Sequence, residues 1–558
     1  MYMAVGALLT WLLIGLVVVG LGLPVGVRVA RCRANVMRVS IWVGLAILVV
    51  IVSIISLLAP LRSLVSLGIV LGLALIAAGL SLPRLTRLPW KKRRLSLPWM
   101  FLFCGVVIVG AVVWALSTTR APTNYDSGLY HLGAIEYAAQ AGTVPGLANL
   151  FAPLGYGNAQ IPLAAFLTNG PLGIQGFEAL NSFLLLLLPI DLLLRSYSHA
   201  RPRIGSLVLA TGIFTIYPPM FAMADAWVIS PTSDTAVLFF TLAAVSTLAP
   251  TVRSGRLTTE RVLLIVSPLA VAAAMRPQAW LMFAAVLAVL VMVHLRLSPN
   301  GERAGIPALL AAAFTPPALI AAVGVARDAV LSGWWLYPIN SFPLPVEWRA
   351  ADPSALLAST LGIARDPGPA YQQAAQGYEW LLPWALRLPQ TWEFWLLIAL
   401  MAAGVILVII SVGQGNAKLK RLLLAAAPGI LASVVWLLLT PPSFRFGWGP
   451  LFSTAALLFG WGWFVNKWAD RWIAGLGGAF ILVVAVWTGA SRMPAWSTSP
   501  PEVLTDQVPI TEDLVIESPA QGDQCWETFP LCTPAPADGL RPRGVDWTSG
   551  FDQGTNSS

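Results

Sequence analysis

Charge is scarce in this chain. Asp, Glu, Lys and Arg make up 11% of its 558 residues, against 57% hydrophobic residues and a mean hydropathy of +0.76. A water-soluble fold of this size has no interior large enough to hide so much apolar surface, so the solvent is lipid. Polar–apolar alternation is missing as well, which excludes a transmembrane β-barrel, because barrel strands must alternate between lipid and lumen. The apolar runs are continuous and approach the ~20 residues a helix needs to cross a hydrocarbon core. In lipid such a run satisfies its backbone only as a helix. The sequence therefore predicts an all-α, polytopic transmembrane helical bundle.

About fourteen spans can be read: 4–24, 41–60, 63–82, 98–117, 176–194, 204–222, 234–250, 262–275, 278–294, 306–325, 395–412, 422–440, 450–466 and 472–489. The apolar stretch 157–170 is broken by Pro162, Gly170 and Pro171 and reads as a re-entrant or half-spanning element. No basic residue precedes the first span and no clear small-x-small site follows it, so it reads as an uncleaved span. Orientation comes from Lys and Arg. The loops 25–40, 83–97, 195–203, 251–261, 294–305, 413–421 and 467–471 hold 23 of the 34 basic residues and three acids, Glu260, Glu302 and Asp470. Placed in the cytoplasm, they leave 11 Arg, no Lys and nearly all the acids outside, with both termini extracytoplasmic. The net charge of +9 is then a topology signal, with the clusters at span ends as anionic-lipid anchors, and no nucleic-acid patch is present.

Polar material on the outer face concentrates in three places, and these divide the chain. A three-span module, 1–97, precedes a core bundle, 98–325, with an acidic outer loop at 118–156. A long insert, 326–394, contains 334-WWLYPINSFPLPVEW-348, whose prolines predict an extended, lid-like segment, followed by short helices near 353–361 and 368–385. The C-terminal spans, 395–489, lead to an extracytoplasmic tail, 490–558, whose last eight residues read as disordered. The tail carries Cys525 and Cys532, half of the chain's four cysteines, and outside the cell a disulfide is their expected state. Closing so short a loop contributes about 2.5 kcal/mol by chain entropy. A metal site is the alternative there, but no His or further Cys is nearby; Cys32 and Cys104 read as unpaired.

With so few charges, those at outer span ends stand out. Asp126 lies in 121-APTNYDSGLYHLGAIEYAAQAG-142 with Tyr125, Tyr130 and His131; Asp225 and Asp234 lie in 223-MADAWVISPTSDTAVLFF-240; Arg276 lies in 274-AMRPQAW-280 and Arg445 in 441-PPSFRFGWGP-450. A charge at mid-membrane costs about 2.5–3.5 kcal/mol on insertion scales and persists where it pairs or lines a polar cavity. Each residue also has a plain structural role open to it. Asp126 can cap a helix over 127–141, Asp234 can sit on a helix dipole, and either arginine can pair for structure alone. His131 can be a hydrogen-bonded interfacial histidine, the Trp-rich stretches interfacial belts, and Glu136, on another side of its helix, a solvated residue. Together, though, a carboxylate suits a general base and arginine forks match phosphate oxygens. An aromatic lid, Trp334, Trp335 and Tyr337, would exclude water. That set fits sugar transfer from a polyprenyl-phosphate carrier.

The strings YDSGLYHLGAIEYAAQAG, VPGLANLFAPLGYGNAQIPLAA, SPTSDTAVLFF, SGWWLYP and SFRFGWGP resemble a family of uncharacterised many-span bacterial membrane proteins. That family is itself similar to GT-C glycosyltransferases, the relatives of protein O-mannosyltransferases and aminoarabinose transferases. The resemblance implies an inverting transferase in the bacterial cytoplasmic membrane, acting on an envelope glycan or protein acceptor. It places Asp126 on the acidic first-loop motif and Asp234 on the acid that opens a later span. Ser127 follows Asp126 where such enzymes often have a second acid, so a divalent cation is an open question and no metal ligand is assigned. The three spans before the acidic loop exceed the usual one. The expected roles are Asp126 and Asp234 in catalysis, with Tyr125, Tyr130, His131, Arg276, Trp334, Trp335, Tyr337 and Arg445 on the substrate. A lipid-linked glycan flippase would want paired broken helices in two related halves, and no internal repeat is visible. An envelope polysaccharide polymerase or ligase shares the lipid carrier. A non-catalytic envelope assembly protein remains a further reading.

Overall fold

A computed structural model of the chain describes residues 2–89, 97–198, 203–297, 305–368, 371–374, 376–412, 416–466, 500–512 and 514–554. Its main helices are α1 (Tyr2–Val29), α2 (Arg33–Leu58), α3 (Leu64–Arg87), α4 (Leu97–Ser117), α5 (Leu132–Gln140), α6 (Gln160–Leu167) and α7 (Ala179–Ser198). They continue as α8 (Ile204–Ala222), α9 (Ser233–Ser254), α10 (Thr259–Met275), α11 (Ala279–Met292), α12 (Ile306–Ser332), α13 (Ser354–Arg365), α14 (Trp392–Val412), α15 (Asn416–Leu439) and α16 (Trp448–Asn466). Every expected span before residue 467 coincides with one of them, and the span at 472–489 lies outside the described residues. Among the described residues, 10 helices are long and apolar enough to cross a membrane; α4, α10 and α16 fall outside that group. The protein is a multi-pass helical membrane protein.

The core forms around α9, whose apolar window is 94% buried and which packs on α8, α10, α15 and α16. No membrane helix needs a polar stripe toward lipid, so burial here follows small residues and backbone approach. Where α1 crosses α2, a Cβ on Gly44 would lie 1.8 Å from the Val18 carbonyl oxygen. The α2 helix also packs on α10 and α12, so the N-terminal helices are built into the bundle. The short α6 is buried throughout and ends before Thr168, a helix too short to cross.

Several expectations are corrected by partners far away in sequence. Arg38 and Arg195, counted as cytoplasmic anchors, are both buried on Asp191: Arg38 Nε and Arg195 Nε each lie 2.6 Å from one carboxylate oxygen. Arg195 also donates to the Ser246 carbonyl at 3.0 Å and to the Ser246 and Thr247 hydroxyls at 2.6 and 2.8 Å. Glu136 is ion-paired as well as partly solvated: Arg62 donates to both of its oxygens at 3.2 and 3.0 Å, and 23% of its side chain stays exposed. Four of the 24 tryptophans, Trp42, Trp114, Trp448 and Trp461, are fully buried and serve the core.

The three polar segments, 118–156, 326–394 and the tail, meet. Asn149 of the loop donates to the Trp348 carbonyl of the insert and to the Phe551 carbonyl of the tail, at 3.0 and 3.2 Å. In the insert, the helix expected over 368–385 is split into Tyr371–Ala374 and Leu381–Arg387, with Gly377 at φ +68° between them. The tail departs from the all-α expectation. Strands β1 (Thr505–Thr511) and β2 (Leu514–Pro519) pair antiparallel, as do β3 (Leu540–Pro542) and β4 (Phe551–Gln553). Phe551, placed by sequence at a disordered end, is fully buried and donates its N–H to the Pro145 carbonyl at 3.0 Å. Cys525 and Cys532 are disulfide-bonded, with Cα atoms 5.8 Å apart.

Candidate functional site

Four local structures deliver four charges to one place. Arg276 is where α10 stops, because the residue before a proline is driven to extended backbone; its φ and ψ are −142° and 116°, and Pro277 follows. Asp234 lies in the first turn of α9, which Thr232 caps by accepting the Asp234 N–H at 3.3 Å. The Thr232 carbonyl is pinned by Gln160 of α6 and Asn181 of α7, at 3.2 and 2.9 Å. Arg445 rides on a single turn, Phe444–Gly447, held by Trp436 and Trp384, whose indoles donate to the Ser443 and Pro442 carbonyls at 3.1 and 2.9 Å.

Asp126 precedes a π-helical turn, Ser127–His131, and a second π turn, Asp225–Ile229, lies beside it. Such turns are rare and often mark functional sites. The Thr123 N–H donates to the Asp225 carbonyl at 3.2 Å, and Arg120 Nη2 lies 3.6 Å from the Asp225 carboxylate. The Asp126 side chain caps no helix, so the capping role fails; its own N–H is received by Asn124 Oδ1 at 3.0 Å.

The charges interlock. Arg445 Nη2 lies 2.8 Å from Asp126 Oδ2, and its Nε lies 3.8 Å from Asp234 Oδ2. Arg276 Nη2 approaches Asp234 Oδ1 to 2.6 Å, a close ion pair without an aligned hydrogen bond. Both guanidinium groups lie over the Phe446 ring, at 4.2 and 5.0 Å from its centroid. Burial alone would raise the Asp126 carboxyl, but Arg445, His131 and Arg276 outweigh it and hold the group below its ordinary range. His131 is 1% exposed and neither ring nitrogen has a hydrogen-bond partner, so it is not the satisfied interfacial histidine. Burial pushes its imidazole down to about 4, leaving it neutral at pH 7.

A cavity of ≈ 140 Å³ adjoins the cluster. Asp234, Arg276, Gln278 and Arg445 line it together with Leu281 and Met282 of α11, Ala432, Val435 and Trp436 of α15, and Pro450 of α16. One wall is charged, Thr241, Thr440 and Gln278 add polar groups, and the remainder is mostly the apolar flank of membrane helices. The two carboxylates are engaged by guanidinium groups, and among the described residues no group of three or more His, Cys, Asp or Glu converges.

The aromatic residues divide. The Tyr130 ring lies 4.4 Å from His131 and 5.8 Å from Tyr156, which lies 5.9 Å from Tyr337, so these rings run from the cluster toward the insert. Tyr337 donates its hydroxyl to the Ala152 carbonyl at 3.0 Å. Trp334 is buried away from the cavity, donating to the Ala350 carbonyl at 3.0 Å, and Trp335 is 42% exposed. Tyr125 donates to the Asp523 carboxylate of the tail and does not line the cavity. Phe446, Gln278 and Trp436 were missed by sequence reasoning, although Phe446 adjoins Arg445 in the quoted string. What defines this chain is a membrane bundle with a charged, half-buried cluster beside an apolar cavity. It belongs to the family described as a domain of unknown function, DUF8201, whose model matches residues 4–452. No match to the chain was found among curated proteins.

Proposed function

We propose that the protein is a GT-C-type, inverting glycosyltransferase that moves a sugar from a polyprenyl-phosphate carrier to an envelope glycan or protein acceptor. The setting is the outer face of the bacterial cytoplasmic membrane, with fourteen spans and both termini outside. The observation that carries this reading is the meeting of four charges: Asp234, Arg276 and Arg445 line the cavity, and Asp126, which does not line it, is joined to them through Arg445. The donor has the same division: an anionic phosphate and a long apolar chain. Two arginines match phosphate oxygens, and the apolar residues of α11 and α15 in the cavity wall match the start of the prenyl chain.

In the resting protein both arginines are neutralised by carboxylates. A phosphate entering beside Arg445 exchanges for Asp126 and frees that carboxylate. Asp126 then takes the proton of the acceptor hydroxyl while the hydroxyl oxygen bonds to the anomeric carbon. The bond from that carbon to the phosphate oxygen breaks, and the phosphate leaves with its electron pair onto Arg276 and Arg445. Asp234 holds the two arginines in place, and neutral His131 with Tyr130 shapes the sugar pocket. The test is turnover of labelled polyprenyl-phosphate sugar by purified protein in lipid nanodiscs. Transfer lost in Asp126→Asn with folding intact supports the reading; equal loss of folded protein, or transfer unaffected, overturns it.

A further inference from the structure

The turn that carries Asp126 does little to hold itself. Its leading carboxylate caps nothing, and the Ser127 hydroxyl and both His131 nitrogens are buried without partners. Besides Arg445 on Asp126 and Tyr156 on Tyr130, the tail bears on it, and the tail lies beyond the region matched by the family model. Tyr125 donates to the Asp523 carboxylate, Gln524 Nε2 donates to the Tyr125 carbonyl at 2.9 Å, and the Trp526 N–H donates to the Gly128 carbonyl at 2.9 Å. A Cβ on Gly128 would lie 2.5 Å from the Trp526 indole, so glycine lets the ring sit directly on the turn. Trp526 is 9% exposed and adopts φ +47°, a conformation that a non-glycine side chain keeps only where its surroundings impose it.

The far side of this segment is fixed. The disulfide closes it, the Glu517 N–H donates to the Leu531 carbonyl and the Thr533 N–H to the Glu517 carbonyl, both at 2.9 Å. Phe529 packs on Tyr137 and Trp547, with centroids 4.8 and 5.3 Å away.

We propose that the disulfide-closed segment 523–532 is a positioning element for the Asp126 turn, with Trp526 as its bearing residue. The segment holds Asp126 and His131 against the arginines that emerge from the membrane helices. Trp526 touches no reacting atom and acts through Asp126. The kinetic consequence rests on the transferase reading, while the placement of the turn does not.

The experiment uses the full chain in nanodiscs, with Trp526→Ala, Trp526→Phe and the exposed control Val545→Ala. Amide exchange across 124–133 is expected to speed up about tenfold in Trp526→Ala, to return most of the way in Trp526→Phe, and to stay unchanged in Val545→Ala. Turnover should show kcat down about tenfold with donor KM unchanged. The acid limb of the kcat/KM profile, which reports the free enzyme, should move up as Asp126 leaves the guanidinium groups. Unchanged exchange across 124–133 in a folded Trp526→Ala protein overturns the proposal. If that variant does not fold, Gln524→Ala, which removes one bond to the turn, decides by the same exchange measurement. A wild-type protein without transfer activity would sink the transferase reading alone, because the exchange result still stands or falls by itself.

Discussion

The inner cluster of Arg38, Asp191 and Arg195 and the outer cluster of Asp126, Asp234, Arg276 and Arg445 are made of the same ion pairs. They share a helix: Asp234 opens α9 and Ser246, which receives Arg195, lies about 18 Å further along it at 1.5 Å per residue. The inner side chains are sealed, with exposures of 7%, 0% and 8%, and Arg195 is hydrogen-bonded into α9. In the outer cluster Arg276 and Arg445 keep 19% and 27% of their side-chain surface, and a cavity adjoins them. Sealed pairs staple helices; pairs left partly open beside empty space can exchange partners. Charge in a membrane protein is thus read by what surrounds it, and not by its presence.

The contrast can be attacked by mutation, and the largest effect is expected outside. Asp126→Asn should lower turnover by about a thousandfold, as loss of a general base does, with thermal stability in detergent nearly unchanged. Asp191→Asn should do the reverse. It leaves two buried guanidinium groups uncompensated, a loss of about 3–5 kcal/mol, measured as a fall in melting temperature, with kcat of the surviving folded protein preserved. Arg445→Lys keeps the charge but loses the planar fork, and donor KM should rise about tenfold in the same assay.

The smallest effect concerns pH. His131 is depressed to about 4 when folded, against about 6.5 for an ordinary imidazole. The unfolded chain therefore binds the proton first on acidification. This contribution to stability is complete above about pH 6.5 and is lost as pH falls to about 4. His131→Gln should flatten the slope of melting temperature in that window. An unchanged slope would show that His131 is not the titrating group.

Much of this was legible beforehand, and for a physical reason. Charge in lipid is costly, so Asp126, Asp234, Arg276 and Arg445 were visible as exceptions at the ends of apolar runs. Their pairing, across more than three hundred residues between Asp126 and Arg445, is tertiary and has no local signature. The same blindness misread Arg38 and Arg195, since a rule that counts basic residues does not see Asp191 between them. Helix positions followed from apolar runs, whereas the short strands of the tail, such as Phe551–Gln553, are set by docking onto Pro145 and Asn149. Trp334 read as a lid residue from its aromatic run, but its indole is used up on the Ala350 carbonyl.

The most direct measurement is photo-crosslinking with a polyprenyl phosphate bearing a diazirine near the phosphate, in nanodiscs, followed by peptide mapping. The account expects labelling in 276–282 and 432–450, suppressed in Arg276→Gln/Arg445→Gln protein. Labelling spread over lipid-exposed surfaces such as Leu64–Arg87, and indifferent to those arginines, would contradict it.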